Sequence, residues 1–394
     1  MNKHVLDSEV QEYINNHLND DVHKLAMSKS PFKDVDSKAL ANQIAAKNKS
    51  VKKLPTWYKT DSIYYPALLS IEQCSSETTA TYKSALAIGD NLIDLTGGFG
   101  VDSYYFAKTV KSLTHCEINV DLSEIAAHNA LMLAQLNIKC LAVDGIALLE
   151  KTDEIFDTIY LDPARRSSAG KVFMLKDCTP NVVEHLELLL SKSKRIIIKT
   201  APLLDITAGL KELSNVSEVH IISVKNECKE LLWIIDSDRS AQQPKITAVT
   251  LNESQKEFSF FKGEEETEVE LLNETPSGYL YEPDTALLKS GAFNLIAARF
   301  RLKKLHHQTQ LYVSDHLDSS FPGRIFKINS LLSSSDLKKE KSPMGNVIAR
   351  NYRDKAENLV KKYKIKPDHN KFFVFTQGAN HDYLIIDAEI MQHY

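Results

Sequence analysis

Between Asn91 and Asp236 short apolar runs alternate with stretches of helical periodicity, and nothing else in this chain restricts its fold so sharply. NLIDLT, LTHCEI, KCLAVD, FDTIYLD and RIIIKT read as strands, and SEVHIISV and LLWIID close the run. VDSYYFAKTV, LSEIAAHNALMLAQL and VVEHLELLLSK, lying between strands, carry apolar residues at three- and four-residue spacings. Strands apolar on both faces and alternating with helices imply a parallel sheet covered on both sides. The last two strands are close enough in sequence to pair antiparallel at an edge. The expected class is therefore α/β, mostly parallel with an antiparallel edge strand.

The rest of the 394 residues falls around this block, which is too small to account for the whole length. VQEYINNHL and ALANQIAAK predict a helical N-terminal region over residues 1–82. The α/β domain is placed at 83–240, ending in the polar, turn-forming DSDRSAQQPK. An α+β region, 241–330, has KITAVTLN and EFSFFKG as strands, then the acidic GEEETEVEL and a helix TALLKSGAFNLIAARF. Residues 331–394 carry a helix, NYRDKAENLVKKYK, and the strands KFFVFT and YLIIDAE. From Lys289 onward there are 18 Lys and Arg against 10 Asp and Glu, although the whole chain has a net charge of −4. Such asymmetry suits an anionic partner for the C-terminal part or, more plainly, a solvated basic face. The N-terminus lacks a signal-peptide core, and no apolar run approaches the ~20 residues that span a bilayer. The five cysteines stand singly, which fits a reducing compartment and argues against a zinc site. The expected location is the cytoplasm, away from membranes.

The stretch DLTGGFGVD follows a strand and opens a helix. Glycines there allow a tight turn and close approach of a ligand to free helix N–H groups. Gly98 and Gly100 fit a dinucleotide turn, but Ser103 stands where close helix–strand packing wants Gly or Ala. Asp94, Glu117 and Asp144 end three successive strands, so all three emerge at the C-terminal edge of the sheet, where such folds bind ligands. Each alone reads equally well as a helix cap or turn carboxylate. A nicotinamide cofactor would use Glu117 and leave the other two idle. A methyl donor built from an amino acid, a ribose and an adenine uses all three: Asp94 toward the ammonium, Glu117 toward the ribose hydroxyls, Asp144 toward the adenine amine.

DLTGGFGVD, the acidic end of LTHCE, AVD and LDPARR, in that order, resemble the motifs of class I S-adenosylmethionine-dependent methyltransferases, whose sheet is Rossmann-like. Thr96 holds the first glycine position, a variant found among RNA-modifying members. Over the whole chain the sequence resembles bacterial methyltransferases with a ferredoxin-like region and a THUMP-like C-terminal domain. The shared stretches are SSETTATYKSAL, DPARR, KTAPLLD, KELLW and YLYEPD, between Glu72 and Asp284, with a looser likeness from Asn351 onward. The resemblance implies S-adenosylmethionine as cofactor, held by Asp94, Thr96, Gly97, Gly98, Gly100, Glu117, Ile118, Asp144 and Gly145. It also implies that Asp162 and Pro163 stand where amino-methyltransferases orient the nitrogen under attack, positioning being most of the catalysis.

Ala164 and Arg165 replace the usual Pro-aromatic pair, leaving Phe173, Tyr279 and Tyr281 as candidates to contact a base. Arg165 and Arg166 suit substrate phosphate, or a structural clamp on Asp162 or a neighbouring acid; Lys199, at the end of the fifth strand, suits phosphate too, or is simply a surface lysine. Cys178, in KDCTP, lacks the context of a covalent nucleophile, which favours a nitrogen target. The leading expectation is methylation of a base nitrogen in structured RNA, tRNA or rRNA. The basic C-terminal part, with Tyr352, Tyr363, Phe372 and Phe373, would hold that RNA. The alternatives are a protein or small-molecule methyltransferase, and a non-catalytic RNA-binding module.

Overall fold

The computed structural model describes residues 1–165, 174–238 and 243–394, with Arg165 described by its backbone alone. The chain divides into two compact units: Met1–Ser217 with Leu232–Gln242, and Glu218–Leu231 with Gln243–Tyr394. Among the described residues no helix is long and apolar enough to cross a membrane.

The first unit begins with helices started by their own acidic caps. Asp21 accepts from the His23 and Lys24 amides at the head of Val22–Met27, and Asp36 from Ala39 at the head of Ser37–Lys53. Val10, Ile14, Leu40 and Ile44 pack into one apolar cluster. Trp57, 4.8 Å edge-on to Tyr104, anchors a second cluster that joins these helices to the helix Val101–Ala107. The sheet is built from β1 (Asn91–Asp94), β2 (Ser112–Cys116), β3 (Ile138–Leu141), β4 (Phe156–Leu161) and β5 (Ser193–Thr200). Their spatial order is β3-β2-β1-β4-β5, all parallel. Chain order reverses at β1, so the C-terminal ends of β1 and β4 flank the switch point where such sheets open a crevice.

The hairpin β6 (Val216–Val224) and β7 (Glu227–Asp236) is divided between the units. Within the second unit β6 pairs in parallel with β8 (Lys245–Leu251), and β8 pairs antiparallel with the edge strand β9 (Gln255–Phe261). The expectation of an edge at the β6–β7 pair is therefore corrected. KITAVTLN carries apolar residues on both faces and fills an interior position, and the antiparallel edge strand is EFSFFKG. The expected single helix from Thr285 is broken: Gly291, at φ +75°, ends Thr285–Ser290 before Phe293–Phe300 begins.

The unit's second sheet contains β10 (Tyr279–Pro283), β11 (Lys303–His306), β12 (Thr309–Ser314), β13 (Gly323–Leu332), β14 (Asn346–Ala349), β15 (Lys371–Gln377) and β16 (Tyr383–Gln392). They lie in the order β11-β12-β10-β13-β16-β15-β14, antiparallel except β14 beside β15. At the end of edge strand β11 the buried His306 accepts from Asn351, just beyond the other edge, at 3.1 Å. Its Nε2 is 3.2 Å from Nδ1 of His381. The sheet thus curls until its two edges come within side-chain reach.

Candidate active site at the C-terminal edge of the sheet

The glycine turn leaves β1 and is held by hydrogen bonds from three directions. Gly97 N–H donates to Cys116 O at 2.8 Å, and Gly98 N–H to Glu117 Oε2 at 2.9 Å. Gly98 and Gly100 are left-handed, at φ +56° and +87°, which favours glycine at both positions. A Cβ on Gly97 would lie 2.1 Å from the His115 ring, and one on Gly145 2.7 Å from Leu95 O. Glycine at these two positions is required by close packing beneath the loop.

Asp94 is only 1% exposed. Its Oδ1 accepts from Thr96 N at 3.0 Å and its Oδ2 from Ser103 Oγ at 2.6 Å. Burial lifts its carboxyl to about 7, against the two hydrogen bonds that favour the anion. Asp94 therefore shapes the loop from below and does not present its carboxylate to a ligand, as its place at a strand end suggested. Ser103 also lies 3.0 Å from Nδ1 of His115, a fully buried imidazole that burial pushes down to about 4. Neither residue was legible as part of this assembly. The signal was Ser103 itself, a hydroxyl where packing asks for Gly or Ala.

Glu117 is half-buried, its second oxygen accepting from Asn119 N at 2.7 Å. Ile118 beside it is 72% exposed, and Val143 is exposed as well. Asp144 is exposed, and its Oδ1 caps the helix Gly145–Lys151 by accepting from Ile146 and Ala147. Two exposed aliphatic side chains flanked by two accessible carboxylates can take a flat, apolar ring bearing polar groups at its edges.

At the end of β4 the backbone N–H of Asp162 donates to Thr96 Oγ1 at 2.6 Å, which ties this residue to the glycine turn. The Asp162 Oδ2 atom is ion-paired with Lys199. Pro163 is buried. Lys199, expected as a phosphate contact, is instead engaged with Asp162. The Arg165 backbone pairs with Cys178 in a two-residue antiparallel ladder. Its side chain, and all of Arg166 and Phe173, lie outside the described residues. Tyr281 is not presented to a substrate. It is 0% exposed within the second unit, its hydroxyl donating to His316 O at 2.6 Å and accepting from Asp318 N at 2.8 Å.

A further group of charges escaped the sequence reading. Lys83, fully buried, lies 3.1 Å from Asp102 and donates to Ser75 Oγ at 2.7 Å. Asp102 also accepts from Ser75 Oγ and Tyr160 OH, each at 2.8 Å. Burial would raise the Asp102 carboxyl, but Lys83, Lys199 and these hydroxyls outweigh it and hold it below its ordinary value. The pattern to notice was a Ser and a Lys spaced eight apart in SSETTATYKSAL. Among the described residues no group of three His, Cys, Asp or Glu could hold a metal ion.

A crystal structure described as a "putative methyltransferase" from Porphyromonas gingivalis W83 is 28% identical to this chain. It matches over 99% of both chains with a TM-score of 0.88. The fold is that of the class I methyltransferases. An uncharacterized RNA methyltransferase of Mycoplasma mobile is 28% identical over 161 residues, 36% of this chain. The match spans 44% of that relative's length. Residues 279–322 match a ferredoxin-like domain family, covering β10, the two helices after it, β11 and β12.

Proposed function

We propose that the chain is an S-adenosylmethionine-dependent methyltransferase acting on a base nitrogen in structured RNA, tRNA or rRNA. The observation that carries this reading is the hydrogen bond from Asp162 N to Thr96 Oγ1, which joins the DPAR strand end to the glycine turn. Acceptor and donor loop are thereby fixed to each other at the crevice.

The residues present fit S-adenosylmethionine. Ile118 and Val143, exposed beside Glu117 and Asp144, would hold the adenine; Glu117 would take the ribose, and the turn of residues 97–100, which lacks side chains at three of its four positions, would let the amino-acid end approach closely. When bound, the group supplies a methyl already activated by its positive sulfur, with a neutral thioether as leaving group. The chain's task is to orient. Asp162 would accept from the N–H of the target amine, directing the nitrogen lone pair toward the methyl carbon, and the displaced proton passes to solvent.

RNA as the substrate is supported by the likeness to the Mycoplasma mobile protein and by the basic C-terminal part. Of the aromatic residues expected to hold it, Tyr363, Phe372 and Phe373 are core. Exposed Tyr383 and half-buried Tyr352, edge-on at 4.9 Å, form a better surface, with Arg353 over both rings.

The reading is tested by incubating the protein with labelled S-adenosylmethionine and RNA from a strain lacking the gene, followed by nucleoside mass spectrometry. A methylated base restored in vitro and missing from that strain supports it. Equal turnover without RNA points to a protein or small-molecule methyltransferase. Asp162→Asn should keep RNA affinity and lose single-turnover rate, because an amide offers one acceptor oxygen and adds a donor.

A further inference from the structure

In the parallel register of β4 and β5, Leu161 lies opposite Ile198, so Asp162, the first residue past β4, comes beside Lys199 near the end of β5. Lys199 is 14% exposed, and its ammonium pairs with Asp162 Oδ2. A lysine withdrawn that far from water needs nearby anions. Asp162 is one, and Asp102 is another, already bound to Lys83 and hydroxyl-bonded to Ser75 and Tyr160. Lys83, Asp102, Lys199 and Asp162 form a charge-balanced row running from the buried side of the helix Glu77–Ser84 to the mouth of the crevice. At that mouth Asp162 is 35% exposed. Its backbone is held by Thr96 and its Oδ2 by Lys199, while Oδ1 has no hydrogen-bond partner among the described residues.

We propose that Lys199 is a positioning residue, which holds Oδ2 of Asp162 so that Oδ1 meets the N–H of the target amine. This rests on the reading of Asp162 as acceptor. The carboxylate torsion is broad, so an untethered aspartate would spread over orientations in which neither oxygen is aimed at the amine. Misplacement of about 1 Å costs on the order of 100-fold in rate. Lys199 acts through Asp162 and does not contact the RNA.

The test is a mutant cycle on the full chain, with RNA from the deletion strain as substrate. Lys199→Met should lower the single-turnover rate by roughly 10- to 100-fold, with KM for RNA and calorimetric affinity for S-adenosylmethionine unchanged. Lys199→Arg, which keeps a cation there, should recover most of the rate. In an Asp162→Asn background Lys199→Met should cost nothing further. A Lys199→Met protein that melts earlier but turns over at the wild-type rate would overturn the proposal, as would a loss of RNA affinity in both backgrounds. If Lys199→Met does not fold, the Arg variant and the double variant Lys199→Met/Asp162→Asn carry the comparison. A crystal structure of Lys199→Met gives a readout independent of activity: Asp162 should leave its single orientation, and an unmoved carboxylate overturns the proposal. Wild-type turnover by Asp162→Asn would instead refute the acceptor reading beneath it.

Discussion

Ser103 joins two buried groups whose protonation the fold drives in opposite directions. Burial raises Asp94 to about 7 and lowers His115 to about 4. A raised carboxyl contributes stability that is complete below the ordinary 3.8 and is lost as pH rises through about 7. A depressed imidazole contributes stability that is complete above 6.5 and is lost as pH falls through about 4. Between pH 4 and 6.5 the folded chain keeps one proton on Asp94, whereas the unfolded chain keeps one on His115. The two contributions cancel, and single substitutions should separate them. The stability of Asp94→Asn relative to wild type should rise with pH across this window, by up to about 1.4 kcal/mol per unit. That of His115→Gln should fall. Urea unfolding of the three proteins at pH 4.5, 5.5 and 6.5 measures both slopes; two flat difference curves would mean that neither group is perturbed by folding.

Elements with a strong period were legible in the sequence, and contacts between elements were not. β4 is legible in the apolar run FDTIYLD, and five of its six residues are buried; the capping of helix starts by Asp21, Asp36 and Asn119 is known from the structure. Periodicity says nothing about which polar side chains turn inward. Lys83, on a helix of weakly amphipathic pattern, gave no sign that it is sealed against Asp102. In the sequence Tyr281 is a candidate only because the aromatic is missing after Asp162 and Pro163, yet four of the five residues of β10 are buried. Of the three carboxylates expected at strand ends, Asp94 ends its strand, Glu117 follows Cys116 and Asp144 caps the helix after it, and the inward turn of Asp94 depends on Ser103, a residue from the next helix. The helix Glu77–Ser84 is bound to Val101–Ala107 through charge as well as packing: Tyr105 donates to Glu77 at 2.7 Å, and Lys83 faces Asp102. Lys83→Met should therefore cost about 3–5 kcal/mol, because it leaves a buried carboxylate without its cation. Replacing both groups, Lys83→Met with Asp102→Leu, should recover part of that loss, and urea unfolding of the two variants decides it.

The two units cannot be separated by one cut, because the second takes Glu218–Leu231 from the middle of the first. A fragment ending at Asp238 keeps Asp94, Thr96, Glu117, Asp144, Asp162 and Lys199, so it should bind S-adenosylmethionine with one site per chain. It also keeps β6 while losing β8, whose register runs from Lys245 opposite Glu218 to Thr250 opposite Ser223. Val219, Ile221 and Ile222, buried in the whole chain, then stand on a strand with one open edge. Such an edge invites pairing with another copy. The fragment should therefore self-associate in a concentration-dependent way by light scattering, whereas one extended to Phe261, which restores β8 and β9, should not. Both fragments lack the whole basic C-terminal part, Tyr352, Arg353 and Tyr383 included, so both should lose RNA affinity if RNA is held there. Restoring the strand without restoring RNA affinity separates a folding defect from a missing surface. Full RNA affinity in the fragment ending at Phe261, compared with the whole chain at several salt concentrations, would move RNA recognition onto residues before 262.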